Sequence, residues 1–226
     1  MAIKIYGSFR WPFAMAAGLA VYEKDQEFEL VRMDMKLPEY MNNFNPFGKS
    51  PSYQDEDIIL FESKAIMKYV ATKFDGQGSP LLGSTVHEQA LCNQWLEVHS
   101  HSFTPPHRVI SKAIFRNPEQ PDASVVKPAL EAFEKVLDIY EARLSASKYL
   151  AGDSYTLADL THTPFFYMFN AIADEGAQKL LTSRKHVYAW IQDISSRPAW
   201  KKLTDRPENK YYKRSRYSSN RDKSCP

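Results

Sequence analysis

The chain predicts an α+β domain followed by an all-helical one. Three features carry this reading. The first third runs in a β-α-β and then β-β-α order, a turn-rich stretch follows at residues 76–80, and helix-period patterning dominates everything after it. At 226 residues there is enough chain for one large or two small domains with buried cores.

Residues 3–6 alternate as a short strand ending at Gly7, and residues 12–24 carry helix-compatible spacing with Ala14, Ala16 and Ala17 among larger apolar groups. Residues 27–33 alternate at period two, so the opening β-α-β implies a right-handed crossover and a parallel pair. Tyr53 and the run Ile58 to Phe61 supply two short strands around the turn Asp55-Glu56-Asp57, and Glu62 to Phe74 returns to helical spacing. The sum is a thioredoxin-like half. Gly76-Gln-Gly-Ser-Pro80 has linker composition. Helical patterns then cover His87 to Phe103, Ala123 to Ser147, Leu157 to Ala173 and Ser183 to Ser195. Thr156 and Asp159 have capping-box spacing, and Pro198 ends one helix and starts the next. The predicted division is 1–75 thioredoxin-like, 76–86 linker, 87–205 helical, and 206–226 a basic, disordered tail.

The net charge of +2 is too small to argue for a nucleic-acid partner. Its distribution is uneven. From Arg206 onward seven Lys/Arg stand against Glu208 and Asp222, a net of +5, which leaves about −3 for the rest and reads as a solvated end. Cys92 and Cys225 are the sole cysteines, giving neither a disulfide framework nor metal spacing and fitting a reducing cytosol. The apolar run Pro12 to Tyr22 is too short to span a membrane, and a strand precedes it, so it is not read as a signal peptide.

Asn45-Pro-Phe-Gly-Lys-Ser-Pro51, followed by Leu60-Phe-Glu-Ser-Lys-Ala-Ile66, is the most informative stretch. Pro51 cannot donate to a strand ladder, so it marks a turn or a cis bond, and Glu62-Ser63 opens a helix close behind it. This wording resembles the glutathione-binding signature of glutathione transferases, and most closely the plant phi class. Trp95-Leu-Glu-Val98, Lys148 to Asp159 and Ser196 to Lys202 look like later landmarks of that class, so the resemblance spans residues 3–203. It implies the glutathione transferase fold, glutathione as co-substrate and a cytoplasmic homodimer.

Carried onto this sequence, the resemblance gives Glu62 and Ser63 the γ-glutamyl end of glutathione. Ser63 adds a hydroxyl to a helix N-terminus, where the dipole favours an anion. Pro51 matches the family's cis-proline and Ser50 the residue whose backbone meets the cysteinyl portion. Lys49 stands where the class has glutamine. The loop Asp34 to Phe44 is about four residues short, which leaves Lys36 as the nearest substitute for a basic pair that grips the glycine carboxylate. The serine position of the class falls on Trp11. Lowering a thiol pKa of about 8.5 by two units takes roughly 2.7 kcal/mol, which an indole is badly suited to supply. Arg10 and Ser8, on the same turn, are the alternative catalytic groups. An acceptor pocket would be lined by Trp11, Phe13 and Phe103, with His107, Ile110 and Phe115. No metal site is expected.

Three functions follow: conjugation of glutathione to an apolar or aromatic electrophile through an atypical activation site; a non-catalytic, ligandin-type binder of flavonoids or other aromatics; or a glutathione-independent isomerase, cyclase or lyase on the same scaffold, with Arg10, His107 or Lys49 as charged groups.

Overall fold

The computed structural model describes residues 2–116, 121–172 and 175–209, in two compact units. The first holds the residues up to Pro80 together with those from Arg197, and the second runs from Leu81 to Ser196.

In the first unit β1 (Ile3–Tyr6), α1 (Pro12–Glu23) and β2 (Phe28–Val31) form the expected parallel crossover, with Ile3 opposite Phe28. A short helix α2 (Pro38–Asn43) follows, begun by a proline whose missing N–H costs nothing at a first turn. Then come β3 (Ser52–Gln54), β4 (Ile59–Phe61) and α3 (Ser63–Lys73). Strand order is β2-β1-β3-β4, with the last two pairings antiparallel. Ile5 and Tyr53 face each other across the central pair and are fully buried. The hairpin turn is tied by Asp55, whose carboxylate accepts from Tyr53, Tyr69, Lys73 and the amides of Asp57 and Ile58. Those donors hold its acid well below the usual carboxylate range despite burial.

The second unit is helical: α4 (Val86–Val98), a π-type turn His99–Phe103, α5 (Thr104–Arg116), α6 (Ala123–Ala146), α7 (Leu157–Leu160), α8 (Thr163–Ile172), α9 (Glu175–Thr182) and α10 (Lys185–Ser196). The helix expected to stop at Phe103 instead passes through the π turn into α5. Pro105 and Pro106 have no N–H to donate to the carbonyls of His101 and Ser102, and both of those residues are exposed. The expected helix over 157–173 divides into α7 and α8. Asp159 is fully buried and accepts from Leu150 N, Thr156 N, Thr156 Oγ1 and the Trp190 indole, which builds the predicted capping box into the core. Burial outweighs these donors and pushes its acid up to about 6. An aromatic cluster of Phe103, Phe133, Tyr140, Phe165, Phe166 and Phe169 fills the rest, each ring burying enough apolar surface to contribute about 2–3 kcal/mol.

Helix α11 (Pro198–Asp205) belongs with the first unit, packed on α1, and not with the helical domain as expected. Gly18 makes that contact possible: a Cβ there would meet Phe28 Cζ at 2.9 Å and Phe9 Cζ at 3.0 Å, with Leu203 of α11 at 3.3 Å. Nor is the expected linker a free spacer. Ser79 donates to Glu23 from both N–H and hydroxyl, while Leu81 is buried and its carbonyl takes the Leu157 amide. The predicted tail also begins too early. Arg206 donates to Tyr22 Oη at 2.7 Å and lies over the Phe28 ring at 4.6 Å, because its planar cation stacks where a solvated arginine would not. The reading of residues 210–226 as a tail falls outside the described residues.

Candidate functional site

The candidate site lies in the first unit, where the Asn45–Pro51 loop, the β1–α1 turn and the start of α3 carry the residues singled out in the sequence. The loop is built from within. Asn45 is buried; its Oδ1 accepts the Phe47 amide at 3.0 Å and its Nδ2 donates to the Lys49 carbonyl at 2.9 Å. Gly48 takes the positive φ of 58° that closes this turn. Tyr40, from α2, donates to the same Lys49 carbonyl at 2.7 Å and shares a bond with Ser52 Oγ. Two buried side chains thus fix the residue just before Ser50. The Ser50–Pro51 peptide is cis. Tyr40 and Asn45 were given no role from sequence, although the Asn-Pro-x-Gly turn chemistry pointed to the second of them.

At the start of α3, Glu62 occupies the N-cap with φ 67° and ψ 111°, a conformation that costs a non-glycine residue about 1–3 kcal/mol. No side chain caps the helix. Among the described residues neither the Glu62 carboxylate nor the Ser63 hydroxyl has a hydrogen-bond partner. An acid and a hydroxyl therefore stand unspent at a helix N-terminus, held there at a cost in backbone strain.

The β1–α1 turn carries Ser8, Arg10 and Trp11. Ser8 Oγ accepts the Arg10 amide at 3.3 Å, so this hydroxyl stabilises its own turn. Arg10 is exposed. Trp11 is the N-cap of α1 without capping it, and at 52% exposure its indole is a surface, not core, side chain. Phe13 is half-buried. Lys36 and Lys49 are both exposed, with the Lys49 ammonium 5.8 Å from the Phe47 ring centre.

The pocket residues expected from the helical half differ in kind. Phe103 and Ile110 are buried core positions, Phe103 stacked among the aromatic cluster. His107 is also buried. Its Nε2 meets the Phe165 carbonyl at 3.1 Å, which can only accept, so the proton sits on Nε2 and Nδ1 accepts from Ser111. Burial holds this imidazole down to about 4, so it is neutral at physiological pH and ill placed for acid–base work. All three are packed inside the second unit. The side chain of Phe115 lies outside the described residues. Among the described residues no His/Cys/Asp/Glu cluster suits a metal ion.

A four-stranded mixed sheet carrying a cis-proline before β3 and an acid–serine pair at a helix start defines the first unit as thioredoxin-like, with a separate helical unit. Comparison with known proteins gives this class its family. Residues 1–72 match the family model for the glutathione S-transferase N-terminal domain, and residues 103–198 that for the C-terminal domain. Glutathione S-transferase F13 of Arabidopsis thaliana is 41% identical over 216 residues, covering 90% of this chain and 95% of that protein. A glutathione S-transferase of Hyoscyamus muticus is 39% identical, covering 91% and 99%. The crystal structure of glutathione transferase F7 from Populus trichocarpa superposes with a TM-score of 0.83 at 39% identity, covering 90% of this chain and 98% of that one. The chain belongs to the glutathione S-transferase family, with relatives of the plant phi class.

Proposed function

We propose that this protein conjugates glutathione to an apolar or aromatic electrophile. The observation that carries the reading is the start of α3, where the strained Glu62 and the hydroxyl of Ser63 are both without partners among the described residues. An amino-acid end needs an anion for its ammonium and donors for its carboxylate. Glu62 supplies the first, and Ser63 with the helix N-terminus the second. The open backbone of Ser50 beside cis-Pro51 pairs with the cysteinyl portion, and Lys49 and Lys36 are the cations available to the glycine carboxylate. Trp11, at the position of the class's serine, and Phe13 offer the acceptor an apolar surface. Arg10 supplies positive charge near the thiol. The reading includes a homodimer and a cytosolic setting, where the thiol stays reduced.

Conjugation assays with a panel of aromatic electrophiles test this, using Glu62→Gln and Ser63→Ala. Each variant loses a charge-assisted contact of about 1.5–3 kcal/mol and so weakens glutathione about ten- to hundredfold. Unchanged KM for glutathione in both would remove the assignment.

A second reading is favoured by one feature, the half-exposed indole of Trp11: a non-catalytic binder of flavonoids or similar aromatics. It requires tight aromatic binding, lost in Trp11→Ala, with no turnover of any electrophile. A glutathione-independent enzyme has less support, because His107 is buried and neutral; Arg10 and Lys49 are its remaining candidates.

A further inference from the structure

Among the described residues, every polar group of Ser50 is without a hydrogen-bond partner: backbone N–H, backbone carbonyl and hydroxyl. The backbone pair is open at the loop. The Oγ is sealed from solvent although the residue as a whole is half-buried, so the exposed part of Ser50 is its backbone and Cβ. A buried hydroxyl that bonds to nothing is uncommon in a folded protein and calls for an explanation.

Its place is well defined. A Cβ built on Gly7 would come within 2.2 Å of Ser50 Oγ, and that same Cβ would stand 3.5 Å from the Ala14 Cβ in the first turn of α1. The hydroxyl is therefore packed against Gly7 at the end of β1, next to cis-Pro51 in the chain, and only glycine at position 7 leaves room for it.

We propose that the Ser50 hydroxyl is the hydrogen-bond donor to the glutathione sulfur, the task for which Trp11 is unsuited. The proposal rests on the glutathione reading above. An extended peptide that adds to the open N–H and carbonyl of Ser50 brings its middle residue alongside this side chain. Serine has three staggered χ1 wells, so one rotation carries the hydroxyl off Gly7 toward its open side without backbone movement. There the O–H donates to sulfur and favours the thiolate. The thiol's proton passes to solvent, and serine keeps its own. A hydroxyl parked against a glycine in the free protein and used in the complex accounts for its missing partner.

The test is the ultraviolet thiolate absorbance of glutathione bound to the full chain, followed against pH in the wild type, Ser50→Ala and Ser63→Ala, with calorimetric Kd values alongside. Ser50→Ala removes an orphan polar atom, so it folds with an unchanged or higher Tm. The expected result is a bound-thiol pKa raised by about one unit in Ser50→Ala, with Kd at low pH little changed. Ser63→Ala weakens binding and leaves that pKa in place. An unaltered thiol pKa in Ser50→Ala overturns the proposal while leaving the binding site intact. Absence of glutathione binding by the wild type overturns the site reading itself.

Discussion

Arg197→Ala removes the guanidinium that donates from Nε and Nη2 to the two oxygens of Glu23, at 2.6 and 2.7 Å, and from Nη2 to Ser79 Oγ at 2.8 Å. The Glu23 side chain is 3% exposed and the arginine 23%, so the loss falls on a carboxylate that water does not reach. Breaking such a pair from one side costs about 3–5 kcal/mol. Ser79 still donates to Glu23 at 2.6 Å, which places the expected cost near the lower end, about 3 kcal/mol. For a chain of this size that lowers Tm by roughly 6–12 °C. Because the residues tie the end of α1 to the start of α11, the effect reports on whether α11 is integral to the first unit. The assay is thermal and urea unfolding followed by circular dichroism at fixed protein concentration. A double variant, Glu23→Gln with Arg197→Met, leaves no stranded charge and recovers most of the loss. Equal melting of the wild type and Arg197→Ala would refute the reasoning, as would a double variant worse than the single.

Asp159→Ala orphans four buried donors and is expected to cost at least about 4 kcal/mol, read as loss of soluble expression or a collapsed urea midpoint. His107 gives a pH signature. Its pKa is depressed from about 6.5 to about 4, so the unfolded state binds the proton first, and its contribution is complete above about pH 6.5 and lost on acidification toward 4. Asp159, raised to about 6, acts with the opposite sign over the same window, so the readout is a difference: the stability of His107→Phe relative to wild type should improve by about 3 kcal/mol between pH 7.5 and 4. A pH-independent difference would dismiss that assignment. Glu62→Gly relieves the positive φ and should gain about 1 kcal/mol of stability while weakening glutathione about tenfold or more. A stabilised variant with undiminished binding would show that the strain serves no ligand.

Much of the first unit was legible because its signals are local. A proline interrupting a strand-like run announced the Ser50–Pro51 turn, and period-two alternation over residues 27–33 gave the parallel partner of β1. The second unit was less legible, because period 3.6 reports which face of a helix is apolar and not what covers it. Phe103, His107 and Ile110 read equally well as pocket or core in sequence, and all three are buried. Paired prolines at 105 and 106 masked α5, since a break and a first turn look alike in sequence. Arg206 looked like part of a solvated basic run until its stacking on Phe28 appeared, a contact made by residues far apart in the chain. Tyr40 was hidden for the same reason: its service to the site is one hydroxyl reaching the Lys49 carbonyl.

The measurement that bears most directly on the account is calorimetric titration of the full chain with glutathione, run beside Glu62→Gln. The account predicts saturable binding in the micromolar to low-millimolar range for the wild type and a Kd at least about tenfold weaker for the variant. No binding by the wild type at about 10 mM, or equal affinities in the two proteins, would contradict it.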